Sequence, residues 1–155
     1  ALILSRQALP ILDREKYTSA DGLARGAYVL ADLGKQKPQI ALIASGSEVD
    51  LIVKAGEELA EQGVSARLIS MPSWDLFEKQ SDKYKKSVLP ESMKMRIAIE
   101  AGSTLGWDRY IGDKGIALGI DHFGASAPGN IVLGKFGITV DNVVDAAKKM
   151  LGGGI

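Results

Sequence analysis

The sequence predicts an α/β protein: a three-layer α/β/α sandwich around a mostly parallel sheet of about five strands. Three observations lead there. Short continuous apolar runs recur near residues 39–44, 64–71, 95–101 and 115–120, punctuated by Gly or Pro. Runs of that length are the mark of strands buried on both faces. Between them lie stretches whose apolar residues fall at helical spacing. Strands alternating with helices imply βαβ units with right-handed crossovers.

The elements follow in order. Residues 1–5 are strand-like, and the chain opens inside this apolar run at Ala1, which suggests a piece of a longer protein. Residues 6–25 are polar and aperiodic, with Pro10 and Asp21-Gly22, and predict a linker or a crossover lying on the surface. A short strand is expected at 26–31 and a turn from Asp32 to Pro38. Residues 39–44 form the most apolar run, closed by Pro38 and Gly46. A helix is expected over about 47–62, with Val49, Ile52, Val53, Ala55, Leu59 and Ala60 on one face. Ser47 is its expected N-cap, with Asp50 in a capping-box-like place and Gly63 ending it.

A second strand over 64–71 ends at Pro72. One or two short helices follow over 73–89, then a third strand over 95–101. A Gly-rich segment leads to a fourth strand over 115–120, a short helix over 128–136 and a last helix over 139–151 capped by Thr139. Gly152 to Ile155 reads as a loose end.

Composition excludes several functions. The 155 residues carry 19 basic and 19 acidic side chains, so a broad basic face for nucleic acid or an anionic membrane is not expected. With no Cys there is no disulfide framework, thiol nucleophile or thiolate zinc site, and one His cannot make a His-pair metal site. No apolar run reaches the roughly 18 residues of a membrane helix. The default is a cytoplasmic domain.

In open parallel sheets the functional crevice lies off the carboxyl ends of the strands. Those ends here are Ser45–Glu48, Met71–Trp74, Glu100–Ser103 and Asp121–Ser126. Ser45, Gly46 and Ser47 lie between strand and helix, where backbone amides and the helix dipole could hold an anion or effector. The turn lacks the later glycines or lysine of a nucleotide loop, and the bland reading is a capping turn. Gly124-Ala125-Ser126-Ala127-Pro128 misses the nucleophile-elbow pattern at its fifth residue. His122, the lone imidazole, is an acid–base candidate or a solvated loop residue. Glu100 is either a ligand-binding carboxylate or an acceptor for its own loop. Trp107, Arg109 and Tyr110 form a stacking platform or a packing anchor. Lys83, Lys85 and Lys86 read as the wet face of a helix.

Several blocks together resemble the end of transketolase. They are Leu4-Ser5-Arg6-Gln7 with Leu9-Pro10, Gly26-Ala27-Tyr28-Val29-Leu30, Ala44-Ser45-Gly46-Ser47-Glu48-Val49 and Ser70-Met71-Pro72-Ser73. Ser87-Val88-Leu89-Pro90, Glu100-Ala101-Gly102, Phe123-Gly124-Ala125-Ser126-Ala127-Pro128 and the run Phe136 to Val143 complete the set. They occur in the family's order over nearly the whole chain.

The resemblance implies a Rossmann-like C-terminal domain at 26–152, preceded over 1–25 by the last strand and linker of the middle domain and followed by a tail at 153–155. It implies a parent enzyme that moves a two-carbon ketol unit between sugar phosphates in the pentose phosphate pathway. That enzyme would be a homodimer using thiamine diphosphate and Mg (or Ca). The cofactor would lie between domains this chain does not contain, so none is expected bound here, and no catalytic residue is expected. Arg6, from the family's Ser-Arg-Gln block, would bind the substrate phosphate, a group that a guanidinium fork matches. The domain's expected work is to pack on the rest of the transketolase chain and support the dimer.

Two alternatives remain at this point. One is an independent flavodoxin-like binding or interaction module. The other is the C-terminal domain of a different thiamine diphosphate enzyme, such as a 2-oxoacid dehydrogenase β subunit or a deoxyxylulose-phosphate synthase. Those are not expected to carry the Ser-Arg-Gln block or the Phe-Gly-Ala-Ser-Ala-Pro loop.

Overall fold

The run at 39–44 becomes the central strand, and its side chains sort to two cores. A computed structural model describes residues 7–152. Strand β2 (Ile40–Ala44) is buried at every position. Ile40, Leu42 and Ala44 face one core, while Ala41 and Ile43 face the other. That alternation is the period of two of a pleated strand.

Around it lie β1 (Tyr28–Leu33), β3 (Ala66–Ser70), β4 (Arg96–Ile99) and β5 (Ile116–Leu118). The order is β1-β3-β2-β4-β5. β2 pairs in parallel with β3 and β4, and β4 with β5. β1 is antiparallel to β3, with a register shift between Val29 and Ala31. The five-strand, mostly parallel sheet is as expected.

One layer consists of α1 (Glu48–Glu61) and α6 (Val140–Gly152). Ile52, Ala55 and Leu59 of α1 and Val143, Val144 and Ala147 of α6 join the first core. The other layer holds α2 (Trp74–Glu78), α3 (Asp82–Val88) and α4 (Asp108–Ile111). Phe77, Val88, Trp107, Tyr110 and Ile111 close the second core. Helix α5 (Gly129–Lys135) buries no residue.

Local chemistry sets the helix ends. Ser73 and Ser81 cap α2 and α3, their hydroxyls accepting from the Leu76 and Tyr84 amides at 3.3 Å. Thr139 caps α6 by accepting from the Asn142 amide at 3.2 Å. At the end of α1, Gly63 has φ +83°. Its amide donates to Ala60 O and that of Val64 to Leu59 O, a Schellman closure.

Several boundaries differ from expectation. The first described strand begins at Tyr28, because Gly26 (φ +82°) turns the chain before it. The 115–120 run keeps only three strand residues. Gly152 is the last residue of α6 and not part of a loose end. Residues 7–25 lie on the surface, as expected, and contain a short 3-10 helix, Ala20–Arg25. Tyr17 is buried, its hydroxyl donates to Glu57 Oε1 at 2.7 Å, and the Thr18 amide donates to Leu30 O at 2.9 Å. The strand expected at 1–5, Arg6 and the tail at 153–155 lie outside the described residues.

Candidate functional site

The strand order reverses at β2, with β3 on one side and β4 on the other. Such a switch point opens a crevice off the carboxyl ends of the strands. An open cleft of about 360 Å³ lies there, lined by Ser45, Met71, Pro72, Ser73, Trp74, Asp75, Glu100 and Trp107. Ser45 follows β2, Met71 follows β3 and Glu100 follows β4.

Two carboxylates govern this edge. The Ser45 hydroxyl donates to Glu100 Oε2 at 3.0 Å. The Ser47 hydroxyl donates to Glu48 Oε1 at 2.6 Å, and Glu48 Oε2 accepts the Ala101 amide at 3.2 Å. Glu48 is 5% exposed and lies in the first turn of α1, where the helix dipole favours a negative charge. It therefore ties the start of α1 to the loop after β4. Burial pushes the Glu100 carboxyl up from its ordinary range, and the charge of Glu48 adds to this, while the Ser45 bond opposes both.

Ser47 holds the N-cap position of α1, as expected, but its side chain does not cap the helix. Its backbone is already helical (φ −67°, ψ −28°), so its hydroxyl makes no cap bond. Asp50 pairs with Lys54 at 2.6 Å and closes no capping box. The amides of Glu48, Val49 and Asp50 donate to the carbonyls of Ser45, Gly46 and Ser47. The three amides that follow the turn are thus engaged, and an anion beside it would face the carboxyl groups of Glu48 and Glu100.

Trp74 is the aromatic wall of the cleft. It meets Trp107 edge-on at 5.2 Å between centroids and Tyr110 at 5.5 Å. Trp107 and Tyr110 are buried, so they are packing anchors and not an open stacking platform, while Arg109 is exposed. The Tyr110 hydroxyl donates to Glu78 Oε1 at 3.1 Å, and burial pushes it up to about 12. Lys85 pairs with Glu78 and Asp82, and Lys86 with Glu91, as a solvated helix face would.

The loops after β4 and β5 are clasped together. Asp121 accepts from the Ser103 hydroxyl at 3.0 Å and from the Thr104 amide and hydroxyl at 2.8 and 2.6 Å. These bonds hold its carboxyl below the usual range. His122 bonds the Phe123 carbonyl through Nδ1 at 2.8 Å and packs edge-on against Phe136 at 4.6 Å. No hydrogen bond joins it to Ser126 among the described residues, so the two form no nucleophile–base pair.

Chemically, the cleft suits a hydroxyl or a cation: the partly buried Glu100 carboxyl, two serine hydroxyls, Asp75 and an indole. It does not suit a metal-bound diphosphate. Among the described residues no three His, Asp or Glu side chains group so as to hold a metal, and the carboxylates would repel a diphosphate. The sequence placed Glu48 and Ser73 at this edge without giving either a role, and it left out Asp75. Their signal was position, each lying just after the carboxyl end of an apolar strand.

The family described as "Transketolase-like TK C-terminal domain" matches residues 26–139. The chain belongs to this family. It is 48% identical over 151 residues to the transketolase of Bacillus subtilis, covering 97% of this chain and 23% of that one. It is 49% identical over 150 residues to the chloroplastic transketolase of Spinacia oleracea, covering 96% of this chain and 20% of that one. Among solved structures, a transketolase from Pichia stipitis in complex with sedoheptulose 7-phosphate superposes with a TM-score of 0.83 and 35% identity, over 95% of this chain and 20% of that one. The transketolase from Leishmania mexicana gives 0.78 and 36%, over 87% and 19%. The chain thus spans about a fifth of the length of these transketolases. A split-gene transketolase, titled an inactive β4 tetramer, shares the fold at a TM-score of 0.68 and 19% identity. No helix of the described residues is long and apolar enough to cross a membrane.

Proposed function

We propose that this chain is the C-terminal part of a cytoplasmic transketolase that moves a two-carbon ketol unit between sugar phosphates. The supporting observation is continuous 48% identity to a transketolase over 97% of the chain. Pichia stipitis transketolases are described in complex with xylulose 5-phosphate, sedoheptulose 7-phosphate and fructose 6-phosphate, which fits the sugar-phosphate class. Residues 26–152 would be the domain proper, residues 1–25 the end and linker of the preceding domain, and 153–155 a tail.

Thiamine diphosphate and Mg²⁺ (or Ca²⁺) supply the carbanion chemistry of such an enzyme when bound. The described residues do not fit them, so these groups belong to other parts of a homodimeric parent. The role of this domain is then support: packing on the rest of the chain and extending the dimer contact. Arg6 holds the substrate phosphate through its guanidinium, an interaction worth roughly 1.5–3 kcal/mol. We assign the Ser45–Ser47 turn to building the cleft wall through Glu48 and Glu100, in place of an anion seat.

A chimera tests this reading. The matching C-terminal fifth of the Bacillus subtilis enzyme is replaced by this chain, and ketol transfer is assayed. Activity near that of the parent is expected, with Arg6→Ala raising the KM for phosphorylated substrates about ten- to a hundredfold. A folded dimeric chimera without turnover would overturn the assignment, and an unchanged KM would remove the role of Arg6. The separate chain, titrated with thiamine diphosphate and Mg²⁺, should show no saturable heat.

A further inference from the structure

At the amino end of the sheet, opposite the cleft, lies a partly buried arginine with no carboxylate partner among the described ion pairs. Arg96 donates from Nε to Met93 O at 2.8 Å, from Nη1 to Tyr110 O at 2.7 Å and from Nη2 to Pro90 O at 2.9 Å. A guanidinium carries five N–H groups. Three are used, which leaves one on each terminal nitrogen without an acceptor among the described residues.

Arg96 lines a cavity of about 330 Å³ together with Lys94, Ile111, Gly112, Asp113 and Lys114. Three cations there face one carboxylate, Asp113. Glu91, which feels the charge of Lys94, is already paired with Lys86 at 2.9 Å. The turn Gly112–Gly115 is closed by the Gly115 amide donating to Gly112 O at 3.3 Å. The Asp113 and Lys114 amides at its centre make no hydrogen bond among the described residues. Successive backbone amides in a tight turn form an anion-binding concavity. The guanidinium cation, desolvated by burial, is held there by carbonyls, with no carboxylate bonded to it among the described residues.

We infer that this cavity binds a phosphate group, free or carried on a small molecule. Its oxygens accept from the two remaining Arg96 N–H groups and the Asp113 and Lys114 amides. Lys94 and Lys114 supply the charge that outweighs Asp113. A dianion matches the excess of two positive charges, and a guanidinium prefers such an oxyanion by paired hydrogen bonds.

The test is an NMR titration of the ¹⁵N-labelled 155-residue chain with inorganic phosphate, ionic strength being held constant with NaCl. A parallel titration uses ribose 5-phosphate. Saturable shifts are expected at the Gly112–Gly115 amides and Arg96 Nε, and the double variant Lys94→Gln/Lys114→Gln should bind at least tenfold more weakly. Both lysines are exposed, so an unchanged melting temperature confirms that the variant folds. Tighter binding of ribose 5-phosphate would identify an organic ligand, and equal affinity the free ion. Shifts that grow linearly across exposed lysines such as Lys148 and Lys149, or that saturate at Gly46 and Ser47 instead, would overturn the inference.

Discussion

Gly26 and Gly63 offer a matched pair for asking what space, apart from backbone conformation, contributes to this fold. Their φ angles are nearly equal, +82° and +83°. A Cβ on Gly63 would meet nothing within 4 Å. On Gly26 it would lie 2.3 Å from both Phe77 N and Ser73 O and 2.8 Å from Leu76 C, all backbone atoms. Those atoms belong to α2 and its N-cap, and the Ser73 amide donates to Gly26 O at 3.0 Å. The contact therefore seats the segment that supplies Ser73, Trp74 and Asp75 to the cleft.

Gly63→Ala should cost about 1–2 kcal/mol, the left-handed backbone penalty alone. Gly26→Ala should cost that and about 1–3 kcal/mol more, because backbone cannot swing aside as a flexible side chain can. At about 2–4 °C per kcal/mol, Gly26→Ala lowers the melting temperature by about 4–20 °C. Gly63→Ala lowers it by about 2–8 °C. Urea unfolding monitored by Trp fluorescence reads the difference between the two. Equal losses within about 0.5 kcal/mol, a spread typical of additive error, would refute the claim that close approach matters here.

Three further outcomes are expected. Glu100→Gln should flatten the pH dependence of stability. The folded carboxyl is raised above its unfolded value near 4.3, so its contribution is full below that pH and is lost as pH rises through the folded value. Chemical unfolding at pH 4 and pH 7 should thus show the variant gaining on the parent at pH 7, and a constant difference would count against the burial argument. Asp121 has the opposite sign: its bonds to Ser103 and Thr104 persist above the ordinary carboxylate range and are lost as pH falls through its depressed value, which the Thr104 amide shift should track. Ile52→Ala, fully buried between α1 and the sheet, should cost about 2–5 kcal/mol in urea unfolding without disturbing the Trp74–Trp107 pair.

What the sequence disclosed and what it hid follow from the range of the interactions. β2 was legible because a strand buried on both faces must be apolar throughout, and α1 because its face repeats with helical period. Thr139 was legible because its cap bond spans three residues. Ser47 misled because the bond that decides its role runs through Glu48 to Ala101, 53 residues on from that glutamate. Trp107 and Tyr110 were read correctly as anchors in one of two open readings, and only their burial separates them. Arg96 gave no signal at all, since its partners are three carbonyls that any residue could offer. The role proposed for Arg6 rests on family resemblance alone, because composition does not set one arginine apart from another.

The Thr18–Leu30 hydrogen bond has a consequence for solubility. Among the described residues β1 is an outer strand, and an outer strand offers unpaired backbone groups to any passing chain. Thr18 occupies one of them and Tyr17 is buried beside it, while the opposite margin, β5, is only three residues long. A version trimmed to the family-matched start at residue 26 would keep the sheet and lose this guard. It should therefore self-associate through β1 at concentrations where the chain that keeps residues 7–25 stays dispersed.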